Sequence, residues 1–271
     1  MLEYLKNNSL VLNMKAVILA GGLGTRLSEE THSRPKPMVE IGGLPILWHI
    51  MKIFEFYGIN EFIICCGYKG YFIKEYFENY HLRNTDITFN LKDDSSSIVR
   101  NTKENWVVTC VDTGNETLTA GRLKQIKGFL EPNESFFFTY GDGVGNINLD
   151  KLLGFHKSHG KLATVTAVNP PGRFGILKIN ENNDVEQFNE KPDIGNSWIN
   201  GGYFVLEPAV IDYIPDYNVA WEAEPLQEIT KNHQLSAYKH NGFWQPMDTS
   251  AENKFLEELY LSNSAPWKLW D

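Results

Sequence analysis

Short apolar runs alternate with longer stretches of helical periodicity through the first half of the chain. The short runs Lys15–Leu19, Glu61–Cys66, Val107–Val111 and Phe136–Thr139 predict strands, and Ala16-Val17-Ile18-Leu19 reads as a buried parallel one. Pro45–Tyr57, Tyr71–Tyr80 and Arg122–Phe129 repeat their apolar positions at helical spacing and predict helices. Strands separated by helices imply an α/β domain built on a mainly parallel sheet. Beyond Gly143 the rhythm changes. A helix near Asp150–His159 is followed by closely spaced strands at Ala163–Ala167, Ile176–Ile179, Val185–Glu190 and Ile199–Leu206, joined by loops rich in Asn, Gly and Pro. This half is expected to extend the same sheet and to add antiparallel strands. A last helix is predicted at Glu252–Leu261. The polar stretch Asp93–Asn105, with three consecutive serines, reads as an exposed excursion.

Composition narrows the possible partners. The 271 residues are 42% hydrophobic and 13% aromatic, enough for a large core, and the formal net charge is −9. That balance disfavours sequence-independent binding to DNA or RNA, which rests on cations displacing counterions from phosphates. The three cysteines are spaced neither for a metal site nor for redox exchange, and Cys65 and Cys66, adjacent on a predicted strand, must face opposite sides of it. Reduced, mostly buried thiols are expected, in keeping with a cytoplasmic protein. Neither a signal peptide nor a bilayer-spanning segment is read, so no membrane partner is expected.

The most informative segment follows the first predicted strand. Leu19-Ala20-Gly21-Gly22-Leu23-Gly24-Thr25-Arg26-Leu27 is a glycine-rich turn, and Pro35-Lys36-Pro37-Met38 lies shortly after it. Glycines there let backbone N–H groups approach an anion, and Arg26 and Lys36 can neutralise phosphate charge. The spacing fits neither the dinucleotide fingerprint Gly-x-Gly-x-x-Gly nor the phosphate loop ending in Gly-Lys-Ser/Thr. Taken alone, the glycines are equally consistent with an ordinary strand-to-loop turn.

This run resembles the signature of the sugar-1-phosphate nucleotidyltransferases. Further similarities lie in Tyr140-Gly141-Asp142-Gly143, Glu190-Lys191-Pro192, Ile199-Asn200-Gly201-Gly202 and Phe243-Trp244-Gln245-Pro246-Met247-Asp248-Thr249, so the resemblance covers nearly everything from Met14 onward. Within the family the chain looks most similar to the cytidylyltransferase branch, on Leu27-Ser28-Glu29-Glu30-Thr31, Cys65-Cys66-Gly67-Tyr68-Lys69-Gly70-Tyr71 and Pro171-Gly172-Arg173-Phe174-Gly175. The resemblance implies a Rossmann-like, mixed but mainly parallel sheet flanked by helices. It also implies Mg²⁺-assisted attack of a sugar 1-phosphate, glucose 1-phosphate foremost, on the α-phosphorus of CTP. UTP or dTTP, another phosphorylated acceptor, or a catalytically silent nucleotide-sensing subunit are the alternatives.

Residue by residue, the resemblance assigns Leu19, Ala20, Gly21, Gly22, Gly24, Thr25, Arg26, Lys36, Thr117, Arg122 and Gly141 to the nucleotide, with Arg26 and Lys36 also catalytic. Glu190, Lys191, Asn200 and Gly201 are assigned to the sugar phosphate, and Asp142 and Asp248 to the metal. By themselves Asp142-Gly143 also suits a turn, and the loop Asp112–Arg122 also suits a helix N-terminus. One departure is Ala120, where the branch usually has glycine. Because the family pattern begins at Met14, residues 1–13 are expected to be a leader or a disordered extension, and 14–271 a single domain. Within it, 14–145 would mainly bind nucleotide and 146–271 mainly sugar phosphate, with possible contacts in a homo-oligomer.

Overall fold

The computed structural model describes residues 14–22, 33–100, 104–169, 176–179, 185–189, 198–216 and 218–270. Seven strands form the central sheet: β1 (Lys15–Ala20), β2 (Glu61–Cys66), β3 (Val107–Asp112), β4 (Phe136–Tyr140), β5 (Ala163–Val168), β6 (Ile199–Leu206) and β7 (Leu235–His240). Their order is β7-β5-β6-β4-β1-β2-β3. Every neighbouring pair is parallel except those involving β6, which runs antiparallel to β4 and to β5. The mixed, mainly parallel sheet is therefore the expected one.

Alternation along the strands builds two cores. Ala16, Ile18, Phe62, Ile64, Cys66, Phe137, Tyr203 and Val205 face one side, where α1 (Ile46–Phe56) packs with Ile50, Ile53 and Phe54. Val17, Leu19, Ile63, Cys65, Phe136, Phe138, Phe204 and Leu206 face the other, against α2 (Thr119–Gln125) and Trp221. Each Val, Leu, Ile or Phe side chain among them contributes about 1.5–3 kcal/mol when withdrawn from water, which fixes the register of the buried strands. Cys65 and Cys66 divide between the two faces, and all three cysteines are free.

Two further helices are α3 (Leu149–His159) and α4 (Ser250–Leu261), the second starting with a capping box between Thr249 and Glu252. Part of the predicted excursion is instead a strand, Ser95–Arg100, hairpinned onto Asp86–Asn90. No helix among the described residues is long and apolar enough to cross a membrane.

β1 continues through its helical connections toward β2 on one side, while β4 lies on its other side. The chain thus changes direction between β1 and β4, and the crevice outside their carboxyl ends is where open α/β sheets take ligands.

Candidate active site

The carboxyl end of β1 is joined to that of β4 by a bond from Gly141 N–H to the Leu19 carbonyl, 2.9 Å long. Ala20 and Gly21 are buried and Gly22 is exposed at the opening of the glycine-rich turn. Gly24, Thr25 and Arg26 of that turn, and Glu190 and Lys191 on the sugar side, lie outside the described residues, as does Arg173.

Three of the assigned residues meet in space. Beyond β4, Asp142 occupies a turn into a short strand, Gly143–Gly145, which pairs antiparallel with Trp244–Pro246. Met247 N–H donates to the Asp142 carbonyl at 2.7 Å, so this small ladder sets Asp142 beside Asp248. Asp248 is held in turn by the start of α4, where its N–H donates to Glu252 at 2.7 Å. Lys36 begins a 3₁₀ turn behind Pro35, and its Nζ donates to Asp142 Oδ2 and to Asp248 Oδ1, each at 2.6 Å. Burial works against charge on Lys36, but Asp142 and Asp248 outweigh it and hold the ammonium above its ordinary value.

The Asp142–Asp248 pair is thus built to hold a cation between two hard oxygen donors, with the Lys36 ammonium already lodged there. Two carboxylates completed by phosphate oxygens and water suit Mg²⁺, so the residues fit the metal that the resemblance implies. Among the described residues no group of three or more His, Cys, Asp or Glu side chains is arranged around a metal position.

Arg122, assigned to the nucleotide, lies in α2 below the loop that precedes the helix. Its guanidinium is buried beneath the loop and donates to the carbonyls of Gly21 (3.0 Å), Cys66 (3.1 Å), Gly114 (2.8 Å) and Asn115 (3.4 Å) and to Thr113 Oγ1 (2.6 Å). It therefore ties together the carboxyl ends of β1, β2 and β3. The guanidinium is so close that a Cβ on Gly21 would lie 2.2 Å, and one on Gly67 2.4 Å, from its Nη1. A side chain at either glycine would force the guanidinium to shift from its acceptors. Thr117 is half-buried at the mouth of the same loop.

On the sugar side, Asn200 is exposed near the start of β6, and its Oδ1 accepts from Gly202 N–H at 2.8 Å. The Gly201 carbonyl accepts from the Trp244 indole at 2.7 Å. Trp221 is wholly buried in the core. Sequence reasoning gave no role to Tyr140 or Glu222 and read Thr119 only as a residue near the helix cap, yet the three meet at this end of the sheet: Tyr140 Oη donates to Glu222 Oε1, and Thr119 Oγ1 donates to Glu222 Oε2 at 3.0 Å. The available signal for Tyr140 was its place two residues before Asp142. For Glu222 there was none, because its partners are distant in sequence.

A seven-stranded α/β sheet with a lysine-bridged carboxylate pair at its switch point defines an open α/β protein with a candidate ligand site at that point, and the family follows from comparison with known proteins. Residues 15–256 match the nucleotidyl transferase family, and the chain belongs to it. It is 54% identical over 258 residues to glucose-1-phosphate cytidylyltransferase of Salmonella typhi, covering 95% of this chain and 100% of the relative. It is 45% identical over 260 residues to a Bacillus subtilis protein named "Probable glucose-1-phosphate cytidylyltransferase", with the same two coverages. Among solved structures, HddC from Yersinia pseudotuberculosis shares the fold with a TM-score of 0.66 at 24% identity, over 91% of this chain and 99% of that one.

Proposed function

We propose that the protein transfers the cytidylyl group of CTP to α-D-glucose 1-phosphate, forming CDP-glucose and pyrophosphate. The observation that carries this reading is the meeting of Lys36, Asp142 and Asp248 outside β1 and β4, in a chain 54% identical over nearly its whole length to an enzyme of that name. An oxygen of the sugar phosphate, ionised at neutral pH, forms a new bond to the α-phosphorus. The bond from that phosphorus to the bridging oxygen of the β-phosphate breaks, and pyrophosphate leaves with the electron pair. No covalent enzyme intermediate and no general base are needed.

Positioning and charge neutralisation are the protein's contribution. The turn Leu19–Thr25 offers backbone N–H groups to the triphosphate, with Gly141 beside it. Arg26 stabilises the charge that grows as pyrophosphate departs, and Lys36 brings a buried positive charge to the carboxylate pair. Asp142 and Asp248 hold Mg²⁺, which when bound draws charge from the phosphate oxygens and lowers the barrier to displacement. Thr117 and the backbone of its loop face the cytosine, with Arg122 as the floor that keeps the loop in place. Glu190, Lys191, Asn200 and Gly201 receive the sugar phosphate, Lys191 as its charge partner.

A pyrophosphate-release assay over CTP, UTP, dTTP and ATP against several sugar 1-phosphates tests this reading. CTP with glucose 1-phosphate should give the highest kcat/KM, and Asp142→Asn and Asp248→Asn should each lower turnover by a few hundredfold or more, as expected for several kcal/mol of lost transition-state stabilisation. Release with every pair equally slow would sink the enzyme reading, and preference for another nucleotide would sink the choice of CTP.

A further inference from the structure

Glu222 is exposed and is bonded to Tyr140, two residues before Asp142, at the end of the sheet where the proposed ligands are all anions. An extra carboxylate there repels both substrates, so its presence calls for a compensating role. Both of its oxygens are in fact engaged. Oε2 accepts from Thr119 Oγ1, the first residue of α2, at 3.0 Å, and the same hydroxyl accepts from Trp221 N–H at 2.7 Å. Trp221 itself is anchored in the core, against Phe138 and Phe204. Oε1 accepts from Tyr140 Oη, at the last residue of β4.

Tyr140 is seated on β6 in two ways. Its ring lies against Gly202, where an added Cβ would come within 2.7 Å of the ring and where φ is +78°, a backbone conformation that favours glycine. Asn200 Nδ2 approaches the Tyr140 hydroxyl at 3.5 Å. Burial, reinforced by the Glu222 carboxylate, raises the Tyr140 hydroxyl above its ordinary range, so it stays protonated and donates.

We propose that Glu222 is a positioning residue that couples the two substrate sides. Through Thr119 it fixes the start of the helix that follows the base loop, and through Tyr140 it fixes both the approach to Asp142 and the strand segment Asn200–Gly202. The carboxylate clamps the nucleotide side to the acceptor side across β4, and it acts through Tyr140 and Thr119 rather than by touching the reacting atoms. The inference rests on the nucleotide and acceptor sides assigned under the proposed function.

Steady-state kinetics of Glu222→Ala, Glu222→Gln, Tyr140→Phe and the Tyr140→Phe/Glu222→Ala double variant test it, with thermal melting and hydrogen exchange on the same substrate-free proteins. Loss of a hydrogen bond to a charged group predicts about a tenfold rise in KM for CTP and also for the sugar phosphate in Glu222→Ala, with a smaller change in kcat. Tyr140→Phe, which keeps the ring on Gly202, should raise both constants in the same way. The double variant should be no worse than the worse single variant, because both changes break one link. Glu222→Gln keeps an acceptor for Tyr140 and should recover most of the loss. Faster exchange at both Thr119–Gln125 and Ile199–Leu206, with the melting temperature held, marks a loosened coupling rather than a weakened fold. A rise in only one KM, additive effects in the double variant, or faster exchange confined to one segment would overturn the proposal. Failure of the wild type to release pyrophosphate would overturn the functional reading instead, leaving the exchange result to judge the clamp.

Discussion

Replacing Lys36 with Met should destabilise the protein in the absence of divalent cations, and the structure sets the size of the effect. Lys36 Nζ lies 2.6 Å from an oxygen of Asp142 and 2.6 Å from one of Asp248, so these two oxygens are no more than about 5 Å apart. Without the ammonium, two like charges face each other. At an effective dielectric near 20 they repel by about 3 kcal/mol, and water reduces this to about 1–2 kcal/mol because the two carboxylates are 35% and 24% exposed. Losing two charge-assisted hydrogen bonds raises the total to about 2–4 kcal/mol, or roughly 4–10 °C in melting temperature. Thermal unfolding at neutral pH in a chelator measures it. Adding Mg²⁺ should raise the melting temperature of Lys36→Met more than that of the wild type, since the cation relieves the same repulsion. Removing one of the charges as well, in Lys36→Met/Asp142→Asn, should recover part of the loss. If Lys36→Met melts with the wild type in chelator, or if the double variant is less stable than the single, the two carboxylates do not depend on Lys36 and the reasoning fails.

Two further outcomes follow from other buried groups. Arg122→Ala leaves the Gly21, Cys66, Gly114 and Asn115 carbonyls without their shared donor and should cost about 2–4 kcal/mol, with a larger rise in KM for the nucleotide than for the sugar phosphate; denaturant melts and initial rates check both, and an unchanged nucleotide KM would detach Arg122 from that side. Burial pushes His49 down to about 4, below its value in the unfolded chain, so its contribution is complete above about pH 6.5 and is lost as pH falls from there to about 4, about 3 kcal/mol in all. In the fold its Nε2–H donates to the Ile41 carbonyl at 2.8 Å, a bond that an amide can replace. Urea midpoints across this range should therefore fall less steeply for His49→Gln than for the wild type, and equal slopes would remove His49 as a source of acid sensitivity.

The parts of the fold that were legible in the sequence are those buried on both faces. β1, β2 and β4 read as strands because their apolar runs have nothing else to do than fill two cores, and their bounds agree to within a residue with the runs Lys15–Leu19, Glu61–Cys66 and Phe136–Thr139. β7 was missed. It is an edge strand whose sequence Leu-Ser-Ala-Tyr-Lys-His is only partly buried, so tertiary pairing with β5 and not composition makes it a strand. The hairpin Asp86–Asn90 with Ser95–Arg100 escaped for the same reason, since Phe89, Leu91 and Ile98 are exposed and no core periodicity marks it. The single predicted helix Tyr71–Tyr80 is divided at Asn79 into Tyr71–Glu78 and Tyr80–Asn84.

The site was legible as a set of residue types and not as a geometry. Glycines, Lys36, Asp142 and Asp248 stand out as motifs, but the three-residue ladder that brings Asp248 to Asp142 leaves no periodic signal, and nothing in the sequence indicates that Lys36 bridges the two. That bridge bears on how a chain of net charge −9 can collect two polyanions. Under the proposed function the two carboxylates hold a cation, and uncompensated they would repel the phosphates that must approach it. A lysine held between them removes about half of that charge before any ligand arrives, and its flanking prolines restrict the backbone from which it reaches in. Arg122 solves a different problem with the same kind of residue: its acceptors are all neutral oxygens, so its charge braces the loops around it. Two basic side chains that are equivalent on composition therefore differ in use, one neutralising and one bracing, and the difference is set by the hydrogen-bond acceptors around each.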